Sequence, residues 1–181
     1  MQGGVPLSPL KIRWAEPDDC TALGRVHSEA YRSAYMGIMP EHYLRRNTAE
    51  NRERYYREAL EKGPEKVAIL IANDQPAGVM VVGGSCDDDL DSSHGEIRSI
   101  YLMEGVWGNG YGTAFLGWGI ERLAEFGYRN AALWVLEDNK RARSFCERFG
   151  FRKDGTHKTI TRGKELVQSR YVTSLNPHNE V

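Results

Sequence analysis

Three glycines alternate with other residues in VWGNGYGTAF, the segment from Val106 to Phe115. Gly108, Gly110 and Gly112 lie between a strand-like run and an apolar run with helical spacing. Glycine loses more conformational freedom on folding than any other residue, so three together indicate a backbone that another group approaches closely. A glycine loop that leads into a helix also presents unpaired N–H groups, which favour an anion. The segment therefore predicts an anion site between a strand and a helix.

The spacing of apolar residues predicts the other elements. β-Branched or alternating runs predict strands at KIRWAE, KVAILIAN, AGVMVVGGS, GEIRSIYLM, NAALWVLE, FRKDGTHKTI and KELVQSRYVTSL. Helical spacing predicts helices at TALGRVHSEAYRSAY, EHYLRRNTAENRERYYREALEK, the segment after Tyr111 and DNKRARSFCERFG. The order is β-α-α-β-β-β-α-β-α-β-β, with one β-α-β unit from Glu96 to Val135. This order predicts a single α/β (α+β) domain with a mixed sheet.

The charge of the chain is nearly balanced, which limits its partners. Lys and Arg number 24 and Asp and Glu number 25, giving a formal net charge of −1. Without a basic field, we expect no nucleic-acid partner and favour a small molecule or a protein surface. No apolar run approaches the roughly 18 residues of a membrane-spanning helix, and MQGGVPLSPL does not resemble a signal peptide, so we expect no membrane association.

The cysteines and histidines do not form a metal pattern. The three cysteines, Cys20, Cys86 and Cys146, are odd in number and widely spaced, which fits neither a disulfide framework nor a CxxC motif. We therefore expect a reducing, cytoplasmic environment. His94 and His157 show no ligand spacing with other residues, so no metal is predicted.

Two common phosphate-binding motifs do not fit the glycine segment. A P-loop has Lys and then Ser or Thr after its last glycine, whereas Tyr111 and Gly112 follow Gly110 here. A dinucleotide fingerprint that starts at Gly108 has Thr113 in place of its third glycine. The anion site therefore belongs to another kind of protein.

A longer pattern fits. EIRSIYLMEGVWGNGYGTAFL, followed by LWVLEDNKRARSFCERFGF, resembles the GNAT superfamily of acyl-CoA-dependent N-acetyltransferases from about Gly95 to Phe151. The match includes the loop pattern [Q/R]-x-x-G-x-[G/A] and the later N-x-x-A-x-x-F-Y-x-x-x-G-F stretch. AYMGIMPEHYL resembles the Ala-Tyr-x-Gly-Ile/Leu-x-Pro segment of one bacterial branch. The first ten residues have the character of a flexible leader and NPHNEV that of a tail, so we expect a leader at 1–10, an N-acetyltransferase domain at 11–175 and a tail at 176–181.

The resemblance also implies acetyl-CoA as cosubstrate, with its pyrophosphate against the loop amides and its pantetheine arm along the free edge of the preceding strand. The implied positions are Ile100, Tyr101, Leu102, Trp107, Gly108, Asn109, Gly110, Tyr111, Gly112 and Thr113. Trp107 stands where the family has Gln or Arg, but backbone amides bind in either case. Asn139 matches a cofactor-side asparagine of the family and fits a helix N-cap equally well.

Amine acetylation needs proton transfers, and the resemblance assigns three positions to the reaction. Glu96 matches a catalytic glutamate of several members and is the candidate general base, or else an ordinary glutamate at a strand start. The N–H of Leu102 matches the donor to the reaction's oxyanion. Cys146 replaces the family's tyrosine, a frequent general acid, and has two interpretations: a surrogate acid, or a small core residue on the apolar face of its helix.

The acceptor amine is expected between the first helices and the last strands. The candidate contacts there are Tyr31, Tyr35 and Met36. The two tyrosine rings would hold a cationic amine by cation–π contact. The run DDDLD either attracts a cationic substrate or forms a solvated loop. Polyamines, antibiotics, amino acids and protein amines all remain open as acceptors, and the terminal β-pair offers an edge for a homodimer. A non-catalytic acyl-CoA sensor on the same fold is the alternative function.

Overall fold

Seven strands form one mixed sheet in the computed structural model, which describes residues 10–175. The strands are β1 Lys11–Trp14, β2 Lys66–Ala72, β3 Gln75–Gly84, β4 His94–Leu102, β5 Asn130–Leu136, β6 Arg152–Thr161 and β7 Glu165–Ser174. The helices are α1 Cys20–Tyr35, α2 Glu41–Leu44, α3 Ala49–Lys62, α4 Tyr111–Glu125 and α5 Lys140–Phe149. The spatial order of the strands is β1-β2-β3-β4-β5-β7-β6. This arrangement confirms the predicted mixed α/β class. The predicted tail, and the predicted leader apart from residue 10, lie outside the described residues.

The sheet buries both of its faces, so its central strands are apolar on both sides. Val67 and Ile69 of β2 pack with Leu23 and Val26 of α1 on one face. On the other face, the alternate residues of the same strands pack against α4 and α5, where Phe115 is fully buried. The period of two along each strand places successive side chains in different cores.

The predicted second helix is two helices. The chain leaves α2 after Leu44 and begins α3 at Ala49, where the hydroxyl of Thr48 accepts a hydrogen bond from the N–H of Asn51 at 3.2 Å. Ser28 of α1 donates a hydrogen bond to the carbonyl of Asn47 at 2.6 Å, which holds the connection against α1. The N-cap threonine, inside a run that otherwise favours a helix, is the local reason for the break.

The sequence DQP, residues 74–76, predicts a hairpin between β2 and β3, and the turn begins one residue earlier. Asn73 and Asp74 both have positive φ, 54° and 58°, and Ala72 pairs with Gln75. This two-residue turn matches the right-handed twist of the flanking strands, and asparagine and aspartate tolerate its left-handed backbone. The long β3 then leads to β4, the strand on which the functional site is built.

Strand β4 carries a β-bulge in the middle of the sheet. Val81 pairs with Ser99 and Val82 pairs with Ile97, so Arg98 is the extra residue. The bulge places Arg98 and Ser99 on the same face, while Ile97 packs in the opposite core. A bulge of this kind re-aims side chains without ending the strand.

Candidate active site

Strands β4 and β5 separate partway along their length. They pair in parallel only at their starts, and the last pair is Glu96 with Ala132. Both strands continue, to Leu102 and Leu136, along their other neighbours β3 and β7. The facing edges beyond Glu96 are therefore not paired with each other. The gap leaves backbone groups of a buried sheet open to another extended group.

The glycine loop, residues 107–113, follows β4 and ends in the first turn of α4. Gly108 and Gly110 have φ values of 81° and 80°, the left-handed region that favours glycine. Gly110 is the N-cap of α4, and no side chain caps this end. Ala114 donates the first bond back to Gly110, so the helix itself does not use the amides of Tyr111, Gly112 and Thr113. The predicted anion site therefore has three helix N–H groups and the positive end of a helix dipole.

Trp107 fixes the loop to the end of β4. Its indole N–H donates to the carbonyl oxygen of Leu102 at 2.8 Å. The guanidinium of Arg141, in α5, lies over the indole ring at 3.5 Å from its centroid. Trp107, which stands where the family has Gln or Arg, thus links β4, the loop and α5 through one side chain.

A cavity of about 710 Å³ opens on the face of the sheet that carries α1. We call it the central cavity. Its walls come from α1, the α2–α3 segment, β3, β4, β5 and the β6–β7 hairpin. Its lining residues are His27, Tyr31, Tyr35, Met39, Tyr43, Arg46, Asn47, Arg52, Tyr55, Val81, Glu96, Arg98, Ser99, Tyr101, Trp134, Leu136, Lys158, Ile160, Arg162 and Gln168.

Glu96 is the only carboxylate among the described residues that line this cavity. Its side chain is largely buried, with 9% of the residue exposed, and its Oε2 accepts a hydrogen bond from the N–H of Cys86 at 3.1 Å. Because Glu96 is also the last β4 residue paired with β5, the carboxylate lies where the gap begins. The structure thus joins the predicted base to the central cavity.

Four aromatic rings form one wall of the cavity. His27 lies 5.9 Å from Tyr31 and 4.6 Å from Tyr101, and Tyr31 lies 4.7 Å from Tyr35, measured between ring centroids. The Nδ1 of His27 shares a hydrogen bond of 2.6 Å with the hydroxyl of Tyr56. Burial, helped by the positive charge of Arg52, lowers the pKa of His27 to about 3, so the imidazole is neutral. The wall is aromatic and uncharged.

Of the predicted acceptor contacts, Tyr31 and Tyr35 lie in this wall and Met36 does not. Met36 is 68% exposed and follows the last residue of α1, where the chain turns. Met39 lines the cavity instead and accepts a hydrogen bond from Tyr31 at 3.2 Å. Met36 stays a prediction as an acceptor contact, at an exposed position outside the lining of this cavity.

Cys146 is in the core and outside the central cavity. It is 5% exposed and packs in the cluster that contains Phe115 and Phe151. Burial raises the pKa of its thiol to about 12, which makes it a poor proton donor to a departing thiolate. These observations favour the interpretation of Cys146 as a small core residue.

Two further predicted features have structural partners. The side-chain oxygen of Asn139 accepts a hydrogen bond from the N–H of Ala142 at 3.1 Å, so this asparagine is the N-cap of α5. In the DDDLD run, Asp87 and Asp89 form ion pairs with Arg170, which is 3% exposed. These two carboxylates therefore neutralise a buried arginine, and neither lines the central cavity, although Asp87 also accepts a hydrogen bond from the indole N–H of the lining residue Trp134 at 2.9 Å.

Several cavity residues were not predicted from the sequence. Asn47, Arg52, Trp134 and Arg162 lie in three separate segments, and none belongs to a motif with fixed spacing. The only signal is the charged run RRNTAENRERYYRE, which by itself indicates a solvated helix face. Within residues 10–175, no cluster of His, Cys, Asp and Glu side chains is arranged to hold a metal ion. None of the helices in that range is long and apolar enough to cross a membrane.

Comparison with known proteins agrees with this geometry. The model of the acetyltransferase (GNAT) family matches residues 28–151. The chain therefore belongs to this family and is an acetyltransferase, as the resemblance implied. An uncharacterized N-acetyltransferase of Bacillus subtilis, YuaI, is 28% identical over 132 residues, which are 72% of this chain and 73% of that protein.

Solved structures share the fold at low identity. An N-acetyltransferase from Staphylococcus aureus has a TM-score of 0.72 and 20% identity, covering 93% of this chain and 99% of that one. The PaiA N-acetyltransferase of Thermoplasma acidophilum, solved in complex with coenzyme A, has a TM-score of 0.68 and 17% identity, covering 89% and 98%. The Salmonella typhimurium protein YncA, solved with its cofactor acetyl-CoA, has a TM-score of 0.71 and 18% identity, covering 96% and 98%.

Proposed function

We propose that this acetyltransferase transfers the acetyl group of acetyl-CoA to an amine by direct attack in a ternary complex, with Glu96 as the general base. The observation that carries the proposal is the position of Glu96. It is the sole carboxylate in the described lining of the central cavity, and it lies where β4 and β5 separate. Two of the structural relatives, PaiA and YncA, were solved with coenzyme A or acetyl-CoA.

The residues of this chain suit a coenzyme A molecule. The unused amides of Tyr111, Gly112 and Thr113 at the uncapped start of α4 would hold its pyrophosphate. The left-handed backbone at Gly108 and Gly110 gives the loop its shape, and a Cβ at either position would contact no other atom within 4 Å. The open edges of β4 and β5, including Ile100 and Tyr101, would pair with the pantetheine arm. When bound, acetyl-CoA supplies the thioester that the amine attacks.

The role of Glu96 is to remove a proton from the acceptor. A primary ammonium has a pKa of about 10.4, so most of it is protonated near pH 7 and cannot attack. The carboxylate would take this proton directly or through one water, and the N–H of Cys86 holds it in position. The N–H of Leu102 and the side chain of Asn139 stay predictions as an oxyanion donor and a cofactor contact. Cys146 has no part in the proposed mechanism.

Thiol release from acetyl-CoA across a panel of amines tests the proposal. We expect Glu96→Gln to lower kcat by about 10²-fold, the usual contribution of a general base, without weakening coenzyme A binding. Gln has nearly the same size and still accepts the hydrogen bond from Cys86. Glu61→Gln, at an exposed position of α3, is the matched control and should keep full activity. If Glu96→Gln retains full turnover, Glu96 is not the base. If coenzyme A binds and no amine is acetylated, the sensor function is favoured.

A further inference from the structure

The charges in the central cavity are unbalanced. Five cationic side chains, Arg46, Arg52, Arg98, Lys158 and Arg162, line it with the single carboxylate of Glu96. Two of the five have acidic neighbours: Arg98 forms an ion pair with Glu65, and Lys158 lies 4.0 Å from Asp87. The cavity therefore carries a positive charge that its own walls only partly neutralise.

The other three arginines have no acidic partner among residues 10–175. None of the ion pairs in that range includes Arg46, Arg52 or Arg162. Arg46 lies over the ring of Tyr43 at 5.8 Å, and Arg162 donates a hydrogen bond to the carbonyl of its neighbour Thr161 at 3.2 Å. Unpaired guanidinium groups in one cavity favour a ligand that carries an oxyanion.

Asn47 adds an independent observation. It is 7% exposed and lines the cavity, and its Oδ1 accepts a hydrogen bond from the Nε of Arg52. That bond fixes the orientation of the amide, because only the oxygen can accept. The Nδ2 of Asn47 is buried and has no hydrogen-bond partner in the described part of the chain. Leaving a buried donor without a partner is unfavourable, so this one indicates an acceptor atom supplied by a ligand.

The positions of the charges agree with this interpretation. Burial raises the pKa of Tyr31 to about 12, and the charges of Arg162 and Arg52 act in the opposite direction. Arg162 acts in the same way on Tyr35, whose pKa burial also raises. The hairpin that carries Arg162 is packed against α2, since a Cβ on Gly163 would lie 2.9 Å from the Cβ of Tyr43. Arg162, next to Gly163 in this hairpin, lines the same cavity as the aromatic wall.

We propose that the acceptor is a small amine that also carries an oxyanion, a carboxylate or a phosphonate, which Asn47, Arg46, Arg52 and Arg162 bind while the amino group faces Glu96. This inference rests on the proposed function, because it assigns the substrate class of the same site. Opposite charges at the two places orient such a molecule, whereas a polyamine would meet three unpaired arginines. The cationic acceptor suggested by the DDDLD run is not favoured, because Asp87 and Asp89 are bound to Arg170.

Matched substrates test the proposal. Thiol release is measured with L-amino acids, the amides of the same amino acids, aminoalkyl phosphonates and polyamines. We expect the amino acids or the phosphonates to exceed the amides and polyamines by at least about tenfold in kcat/KM, or about 1.4 kcal/mol. Whichever of the two groups is preferred identifies the oxyanion. A preference for the polyamines or the amides overturns the inference and leaves the proposed function standing.

Variants locate the site. Asn47→Asp keeps an acceptor for Arg52 and replaces the unpartnered donor with an acceptor, so KM for the preferred acid should rise about tenfold or more with kcat little changed. Arg46→Gln and Arg162→Gln should each raise the same KM several-fold. Arg45→Gln, paired with Glu41 outside the cavity, and Lys164→Gln, on the hairpin outside the cavity, are the controls. An unchanged KM in Asn47→Asp and both arginine variants would overturn the assignment.

Calorimetry separates the inference from the proposed function. Binding of the amino acid or aminoalkyl phosphonate is measured in the presence of coenzyme A, where no turnover occurs. Binding that Asn47→Asp weakens supports the anion site even if no amine is acetylated, a result that would count against the proposed function alone. Absence of binding by every oxyanion-bearing amine, in a protein that acetylates another amine, would overturn the inference alone.

Discussion

The glycine loop and the central cavity both adjoin β4, and they are built in different ways. The loop is seven consecutive residues whose chemistry lies in backbone N–H groups and in the left-handed φ values at Gly108 and Gly110. The cavity is made of side chains from six segments of the chain, among them His27, Glu96 and Arg162. A backbone site is visible as a local residue pattern, whereas a side-chain site forms only when the chain folds. Binding at the loop should therefore depend on backbone conformation and tolerate changes of side chain. Binding in the cavity should depend on the identity of the side chains.

The largest expected effect concerns His27, a residue of the cavity, and the pH dependence of the free energy of unfolding. The folded state lowers the pKa of His27 from 6.5 to about 3, so below pH 6.5 the unfolded chain binds a proton that the folded chain does not. Stability from this group is present above pH 6.5 and is lost as pH falls toward 3. Between pH 7 and pH 5, the expected loss is about 2 kcal/mol.

Urea unfolding of the wild type and His27→Gln at pH 7 and pH 5 measures this loss. The free energy of unfolding should fall by about 2 kcal/mol more in the wild type than in the variant over this range. Trp107→Phe, on the loop side, should keep the pH dependence of the wild type. Equal pH dependence in the wild type and His27→Gln would show that His27 is not buried as a neutral group.

The next largest effect is expected at the loop backbone. Gly110→Ala forces a side chain into a left-handed conformation, at a cost of about 1–2 kcal/mol, and should weaken coenzyme A binding about tenfold. Gly105→Ala, before the loop, has ordinary φ and open space around its Cβ and serves as the control. Calorimetric titration with coenzyme A measures both affinities. If Gly110→Ala binds as tightly as the wild type, the loop conformation does not matter for binding.

A smaller effect is expected for Trp107→Phe, which tests the one loop side chain with a defined role. The variant loses the hydrogen bond to the carbonyl of Leu102 and keeps an aromatic ring under Arg141. Stability should fall by about 1 kcal/mol, the value of one hydrogen bond, with a few-fold loss of coenzyme A affinity. Thermal unfolding and titration measure the two quantities. A loss of affinity larger than that in Gly110→Ala would mean that the indole itself contacts the cofactor.

The smallest effect on turnover is expected for Cys146→Ala. The thiol is buried in the core next to neither the cavity nor an open surface, so kcat should change by less than about threefold. Single-turnover and steady-state thiol release measure the rate. A loss of 10²-fold or more, the size of an acid-catalysis contribution, would restore the general-acid interpretation.

The sequence predicted what local patterns encode. β-Branched or alternating runs predicted seven strands, the glycine spacing predicted the loop at the start of α4, and helical spacing predicted α5. The predicted helix across Thr48 failed because one capping residue outweighed a continuous helical pattern. Met36 stays a prediction as an acceptor contact, at an exposed position just after α1. The error at Thr48 concerns where elements begin and end, and not their type.

The sequence by itself determined the order of the strands, the mixed sheet and the position of the glycine loop before α4, because each depends on residues that are neighbours in the chain. Only the tertiary structure brought Asn47, Arg52 and Arg162 around the same cavity as Glu96. It also placed Cys146 in the core and bound the acidic run to Arg170. The physical reason is that burial and charge pairing depend on contacts between segments far apart in sequence, and those contacts exist only after the sheet has formed.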